Sequence, residues 1–301
     1  INTKAVPSER ILDFSFSSGY NSETSLSDGL LYDGGSDDDL GYDDGIRDFP
    51  SFVQRAINSN QKLDRSNFKT YELANAGREF VNSELWVIQE GDVPLDNSLS
   101  FTYGDELDIG IEDILDNESA TIGILLTAGI KSSWETQEGI RQTGDIQGQG
   151  DGTSIVIRGN DKTFKSTSNN VTTYLMGVAG IETDTSELKY TGMFIHKGTK
   201  EARTLQGYDT SDSGNVREDF TEFFERELTN HQLNYNYIFQ NDMELDVRLA
   251  GGDASRYAPY ERVVFYEDTD DRGYWQYDVN TGRNQTQFSY VDDSNENFGI
   301  D

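Results

Sequence analysis

The chain has no cysteine, four prolines, two histidines and 24 Lys and Arg against 55 Asp and Glu. Without cysteine there is no disulfide framework, thiol nucleophile or thiolate metal site, an absence that fits a chain crossing an oxidising compartment as well as a cytosolic one. A net charge of -31 repels phosphate backbones, so nucleic acid is excluded as a partner. No run approaches the roughly 18 apolar residues of a membrane helix, and no secretory leader pattern stands at Ile1. With only His196 and His231 as imidazoles and no nucleophile in register with either, the expectation is not an enzyme. His196 reads as a rim or interface residue. Paired carboxylates are unavoidable at this acid density, and Gly148, Gly150 and Gly152 lack the Lys and helix of a phosphate loop.

What the chain has is aromatics, 16 Tyr, 16 Phe and 3 Trp, in a polar background. Many fall in alternating runs, the pattern of a strand with one oily and one wet face. Leu12, Phe14 and Phe16 alternate with Asp13, Ser15 and Ser17, and Leu99, Phe101 and Tyr103 with Ser98, Ser100 and Thr102. Ile122, Ile124, Leu126, Ala128 and Ile130 form a third run. Val171 to Ile181 is apolar on both faces, leaving its register open. Leu188, Tyr190 and Phe194 mark another strand, as do Leu233, Tyr235, Tyr237 and Phe239. Met243, Leu245, Val247 and Leu249 oppose Glu244, Asp246 and Arg248, and a weaker run closes Phe288 to Ile300.

The links between these runs alternate long and short. Long ones are read at 21–98, from Trp134 to Thr167, from Lys200 to Glu222 and from Gly251 to Gln287; short ones follow Ile181 and occupy Gln240 to Asp242. Short turns on one rim and long loops on the other are the layout of an outer-membrane barrel. All four prolines, Pro7, Pro50, Pro94 and Pro259, are expected outside strands. Within the first long loop, 22–97, a short helix is expected from Pro50 to Asn58, as an excursion on the outer surface.

Several stretches resemble TonB-dependent receptors. Asn2, Thr3, Lys4, Ala5, Val6 and Pro7 are similar to the exit from the plug domain into the first barrel strand. Tyr32 to Gly35 and Leu40 to Gly45 resemble a first extracellular loop in one branch of the family; Phe220 to Leu228 and Ala258 to Arg262 resemble its barrel segments. The resemblance implies a plugged barrel of about 22 strands, driven from the inner membrane by the TonB–ExbB–ExbD system. This chain departs from that plan: no plug domain is found, and about eight strands are counted. The expectation is therefore all-β, residues 1–301 forming part of an antiparallel transmembrane barrel with long extracellular loops, in the outer membrane of a Gram-negative bacterium.

The function implied is active import of a scarce nutrient, a siderophore, cobalamin or oligosaccharide, with lipopolysaccharide and outer-membrane lipid as surroundings. The alternatives are a secreted or surface-attached β-rich adhesion or carbohydrate-binding protein, whose apolar faces would be buried between two sheets, and a passive porin. Trp134, Tyr208, Tyr257, Tyr260, Tyr274 and Trp275 are the candidates for ligand capture at the outer loops, because aromatic rings stack on sugars and siderophores; Trp134 and Tyr257 also suit a membrane-interface belt. Arg226, Glu244, Asp246 and Arg248 are read as facing the lumen and plug, or as a hydrated pore wall. Between Ser22 and Asp48, nine acids stand against one Arg. Asp37, Asp39 and Asp43 there are weak Ca²⁺ candidates, since no full calcium loop is present, and Asp268, Asp270 and Gly273 also fall short of one; a solvated loop and no cofactor is the plainer reading.

Overall fold

The computed structural model describes residues 7, 9–79, 85, 87–110, 119–149, 152–156, 160–212, 214–241, 243–268, 273–278 and 282–300. In chain order the elements are β1 (Ile11–Gly19), β2 (Asp28–Tyr32), a single 3-10 turn at Asp38–Leu40, α1 (Ser51–Asn58), α2 (Thr70–Glu79), β3 (Ile88–Asp92), β4 (Asp96–Gly110), β5 (Ser119–Gln142), β6 (Asp145–Gln149), β7 (Gly152–Val156), β8 (Asn160–Glu182), β9 (Ser186–Asp209), β10 (Gly214–Ile238), β11 (Glu244–Glu267), β12 (Gln276–Tyr277) and β13 (Gln285–Ile300). The fold is all-β and its main sheet antiparallel, ordered β1-β4-β5-β8-β9-β10-β11, with β12 and β13 both on β11. Two hairpins, β2–β3 and β6–β7, stand apart from it. Among the described residues β1 and β13 do not pair, so the sheet is open and the expected barrel closure is not seen. Among the described residues no helix is long and apolar enough to cross a membrane, which leaves crossing by strands untouched.

Cross-strand registers separate two faces. On the front, Leu107, Ile122, Ile181, Leu188, Tyr235, Val247 and Ile300 fall in one row across the sheet. Phe14, Phe101, Ala128, Leu175 and Phe194 make another. The back carries Ser15, Ser100, Gln232, Asn234, Asn236 and Arg248. A strand points successive side chains to opposite faces, so this segregation follows from the alternation in the sequence. Within the double-apolar stretch the register resolves: Val171, Leu175, Ala179 and Ile181 are in front; Tyr174, Met176 and Val178 are behind.

Strands are longer than the alternating runs suggest, and three expected loops are corrected. Lys200 to Glu222 is a hairpin of β9 and β10 turning at 210–213; Trp134 to Thr167 holds the ends of β5 and β8 with the β6–β7 hairpin between; and β11 extends through Gly251 to Glu267. These halves of the strands carry ion pairs on both faces, such as Lys162 with Asp209 and Glu218, and Arg217 with Asp219, so their composition imitates loop. Pro259 is also corrected, since it lies inside β11. It sits where the register shifts between Phe223 and Glu225 on one side and between Ala258 and Glu261 on β11 itself, a bulge that needs no ladder donor from proline. One end of the sheet carries the connections 20–95, 143–159, 210–213 and 268–284, and the other carries 111–118, 183–185 and 239–243.

Segment 20–95 is no free loop. Its hairpin β2–β3 lies on β8 and β9 at the front, and Leu30, Tyr32 and Ala202 form a small core there. Helix α1 begins just after Pro50, whose fixed φ suits a helix start. It buries Phe52, Val53 and Ala56 and sets the Phe52 ring tilted against Phe68 near α2, centroids 4.9 Å apart. The front face thus has two parts: an uncovered apolar part toward the short turns, and a part roofed by this segment toward the long connections.

Candidate functional site: the roofed half of the sheet

The acidic stretch read as a solvated loop folds around its one arginine. Arg47 donates from Nη1 to Asp38 at 2.7 Å and Asp43 at 2.9 Å, and from Nη2 to the second Asp38 oxygen at 2.7 Å. Its guanidinium covers the Phe223 ring of β10 at 4.1 Å, and its side chain has no exposure to solvent. Lys200 of β9 adds a contact to Asp38 at 2.8 Å and lies over the Tyr32 ring at 4.6 Å. Burial presses the Asp38 carboxyl upward, but the paired guanidinium and Lys200 outweigh it and hold it below the usual carboxylate value. Asp43 goes the other way, because burial exceeds the single bond from Arg47. On Arg47 itself burial is outweighed by the two carboxylates, which raise it.

Around this centre the segment is pinned to backbone and side chains. The Asp43 amide donates to Glu225 Oε1 at 2.7 Å, the Leu30 amide to Thr167 Oγ1 at 2.9 Å, and the Tyr32 hydroxyl to the Glu222 carbonyl at 2.8 Å. His196, expected at a rim or interface, is 1% exposed and faces Gly41 and Tyr42. Its Nε2 lies 2.8 Å from the Gly41 carbonyl, and its ring stacks on Tyr42 at 3.7 Å. Because a carbonyl oxygen only accepts, that bond makes Nε2 the donor. Gly41 needs its φ of 82°, which glycine adopts freely. Opposite, a Cβ on Gly198 would stand 2.1 Å from the Gly41 carbonyl oxygen. Gly198→Ala is therefore expected to push the segment off the sheet at a cost of about 1–3 kcal/mol, read as a lower denaturation midpoint and faster amide exchange in 28–48. Unchanged exchange there would show that the close approach is not required.

A cavity of about 430 Å³ opens between the hairpin and the sheet, lined among others by Tyr32, Asp39, Glu90, Trp134, Thr167 and Lys200. A second, of about 640 Å³, is bounded by Ile88, Glu138, Phe164, Lys165 and Arg217. The first combines an indole face, carboxylates and an ammonium, groups that stack on and hydrogen-bond a polar ring or amine.

The six aromatics expected at outer loops are not gathered into one site. Trp134, Tyr208, Tyr257 and Tyr260 are strand residues, on β5, β9 and β11, which corrects their placement on loops. Trp134 lines the first cavity and its backbone amide donates to Asp96 at 2.7 Å. Tyr257 meets Phe49 and Tyr290, while Tyr260 is buried beside Phe288 and accepts from Arg262. Tyr208 and Tyr274 are exposed and Trp275 is half-buried, Tyr274 and Trp275 lying in 268–284. Arg226, Glu244, Asp246 and Arg248 share the back face, where Arg248 pairs with Asp246 at 2.7 Å. Of the calcium candidates, Asp43 is held by Arg47, while Asp39 borders the cavity and Asp37 the 3-10 turn. Among the described residues no group of three or more His, Cys, Asp or Glu is placed to hold a metal. Asp270 and Gly150 lie outside the described residues.

Sequence reasoning passed over Arg47, Lys200, Gly198 and Phe223. One signal was present: a lone arginine among nine acids is the only local cation that those carboxylates can close on. No family model, no curated protein and no solved structure matches the chain.

Proposed function

We propose that the sheet is the wall of an outer-membrane β-barrel transporter of the TonB-dependent kind, importing a scarce nutrient captured at the long-connection end. The observation that carries this reading is the slope of the uncovered apolar band. On β1 its top residue is Phe16, whose row crosses Leu99, Ile130, His196 and Glu227. On β10 the band begins only at Leu233, six positions nearer the short turns than Glu227. Strands tilted by about 40° and spaced by about 4.8 Å lower a horizontal lipid boundary by about 20 Å over five strand steps, or about six residues. The drop between these two strands therefore equals what a flat bilayer edge crossing tilted strands requires.

Composition of the two faces supports the same reading. Leu12, Phe14, Phe16, Leu107, Phe298 and Ile300 are each at least 60% exposed, and a contiguous exposed apolar band marks an interaction surface such as lipid. The back face is the more polar of the two, with Gln232, Asn234, Asn236, Glu244, Asp246 and Arg248, as a hydrated lumen requires. In an adhesion module Leu233, Tyr235, Leu245 and Val247 would be buried against a second sheet; among the described residues all four are exposed or half-exposed. A passive porin would share this wall. Under the transporter reading, lipopolysaccharide and lipid contact the front band, the TonB–ExbB–ExbD system supplies energy, and the cavity beside Trp134 and Lys200 contributes to capture of a siderophore, cobalamin or oligosaccharide.

Cell fractionation tests this directly. The protein is expected in the outer membrane, requiring detergent for extraction and migrating differently on gels before and after boiling. Recovery as a soluble protein without detergent would overturn the membrane reading in favour of adhesion.

A further inference from the structure

On the back face, one cross-strand row places Lys197, Arg226 and Arg256 directly opposite one another on β9, β10 and β11, with Lys131 in the same row on β5 beyond Thr172. Directly opposed residues stand about 5 Å apart at Cβ, where like charges repel. This is unexpected in a chain where acids outnumber bases 55 to 24. Other cations on the sheet find carboxylates, as Lys162 does in Asp209 and Glu218, Arg217 in Asp219 and Arg283 in Asp212. In the trio only Arg256 has one, Glu222 at 3.3 Å. Among the described residues Lys197 and Arg226 form no ion pair.

The two arginines are also held in place. Both guanidiniums lie over the ring of Phe224, Arg226 at 4.7 Å and Arg256 at 4.8 Å from its centroid. Arg256 is steadied further by Nη1 donating to Ser289 at 3.1 Å. With both guanidiniums drawn to one ring and Lys197 next in the row, three cations gather on one patch of the back face, where an anion with several oxyanions can be shared among them. We infer that Lys197, Arg226 and Arg256 form a binding site for a small diphosphate-class anion, whose charge offsets the repulsion within the row. The site is separate from the front-face cavities and stands whether or not the sheet is in a membrane.

The test titrates the full folded chain with inorganic pyrophosphate by calorimetry, for wild type, Arg226→Gln and, as a control on the same face, Lys189→Gln. The expected result is saturable binding that Lys189→Gln retains and Arg226→Gln weakens tenfold or more. Because the substitution also relieves repulsion, the thermal midpoint of ligand-free Arg226→Gln should equal or exceed that of wild type. Absence of pyrophosphate binding to wild type overturns the inference, as does undiminished binding to Arg226→Gln.

Discussion

Replacing Arg47 by methionine should release the acidic segment from the sheet. The guanidinium has no exposure and its partners Asp38 and Asp43 have 5% and 4%, so the substitution leaves Asp43 without its cation and Asp38 with Lys200 alone, where water barely reaches them. Breaking a buried pair by removing one partner costs about 3–5 kcal/mol, and loss of the stacked cation over Phe223 adds about 1–2 kcal/mol. The apolar cluster that joins the segment to the sheet is small, Leu30 and Tyr32 against Ala202, so a loss of this size exceeds what docking can absorb. Limited proteolysis should then cut within 20–95 while the strands stay intact. The triple variant Arg47→Met, Asp38→Asn, Asp43→Asn should recover much of the protection, because neutral amides remove the uncompensated charge. If Arg47→Met alone resists protease as wild type does, the ion cluster does not hold the segment.

The second large effect concerns a single-residue step on β5. Leu126 faces front in the apolar band, and Thr127 faces back, opposite Thr102 and Met176. Arginine near the bilayer midplane costs about 2–4 kcal/mol, whereas a lumen-facing position tolerates charge. Leu126→Arg is expected to deplete folded, heat-modifiable protein in the outer membrane, and Thr127→Arg to leave its amount near wild type. Equal tolerance of both would remove lipid from the front face and with it the proposed transporter wall.

How much of this was readable in advance differs along each strand. Leu233, Tyr235 and Tyr237 betray β10 at its short-turn end because one face is oily and the other is Asn234 and Asn236. Toward the other end the same strand reads Val216, Arg217, Glu218, Asp219, which alternates in no recognisable way and so has the composition of a loop. There the front face meets a docked polypeptide in place of a uniform apolar medium, so its side chains answer individual partners: Thr221 the Leu85 carbonyl, Phe223 the Arg47 guanidinium, Glu225 the Asp43 amide. Binary patterning records the solvent of a face, and a face that contacts specific groups has no single solvent to record.

The sequence by itself determined the all-β class, the antiparallel meander and the division of the uncovered half into oily and polar faces, since side-chain alternation is a property of the strand alone. Only the tertiary structure decided that the acidic segment docks, that Gly41 meets Gly198 and His196, and that Lys197, Arg226 and Arg256 share a row. Those contacts join residues far apart in the chain, Gly41 and His196 being 155 positions apart, and they depend on strand register and on which surface a long connection folds back upon. Register is a relation between strands, so no single stretch of sequence carries it.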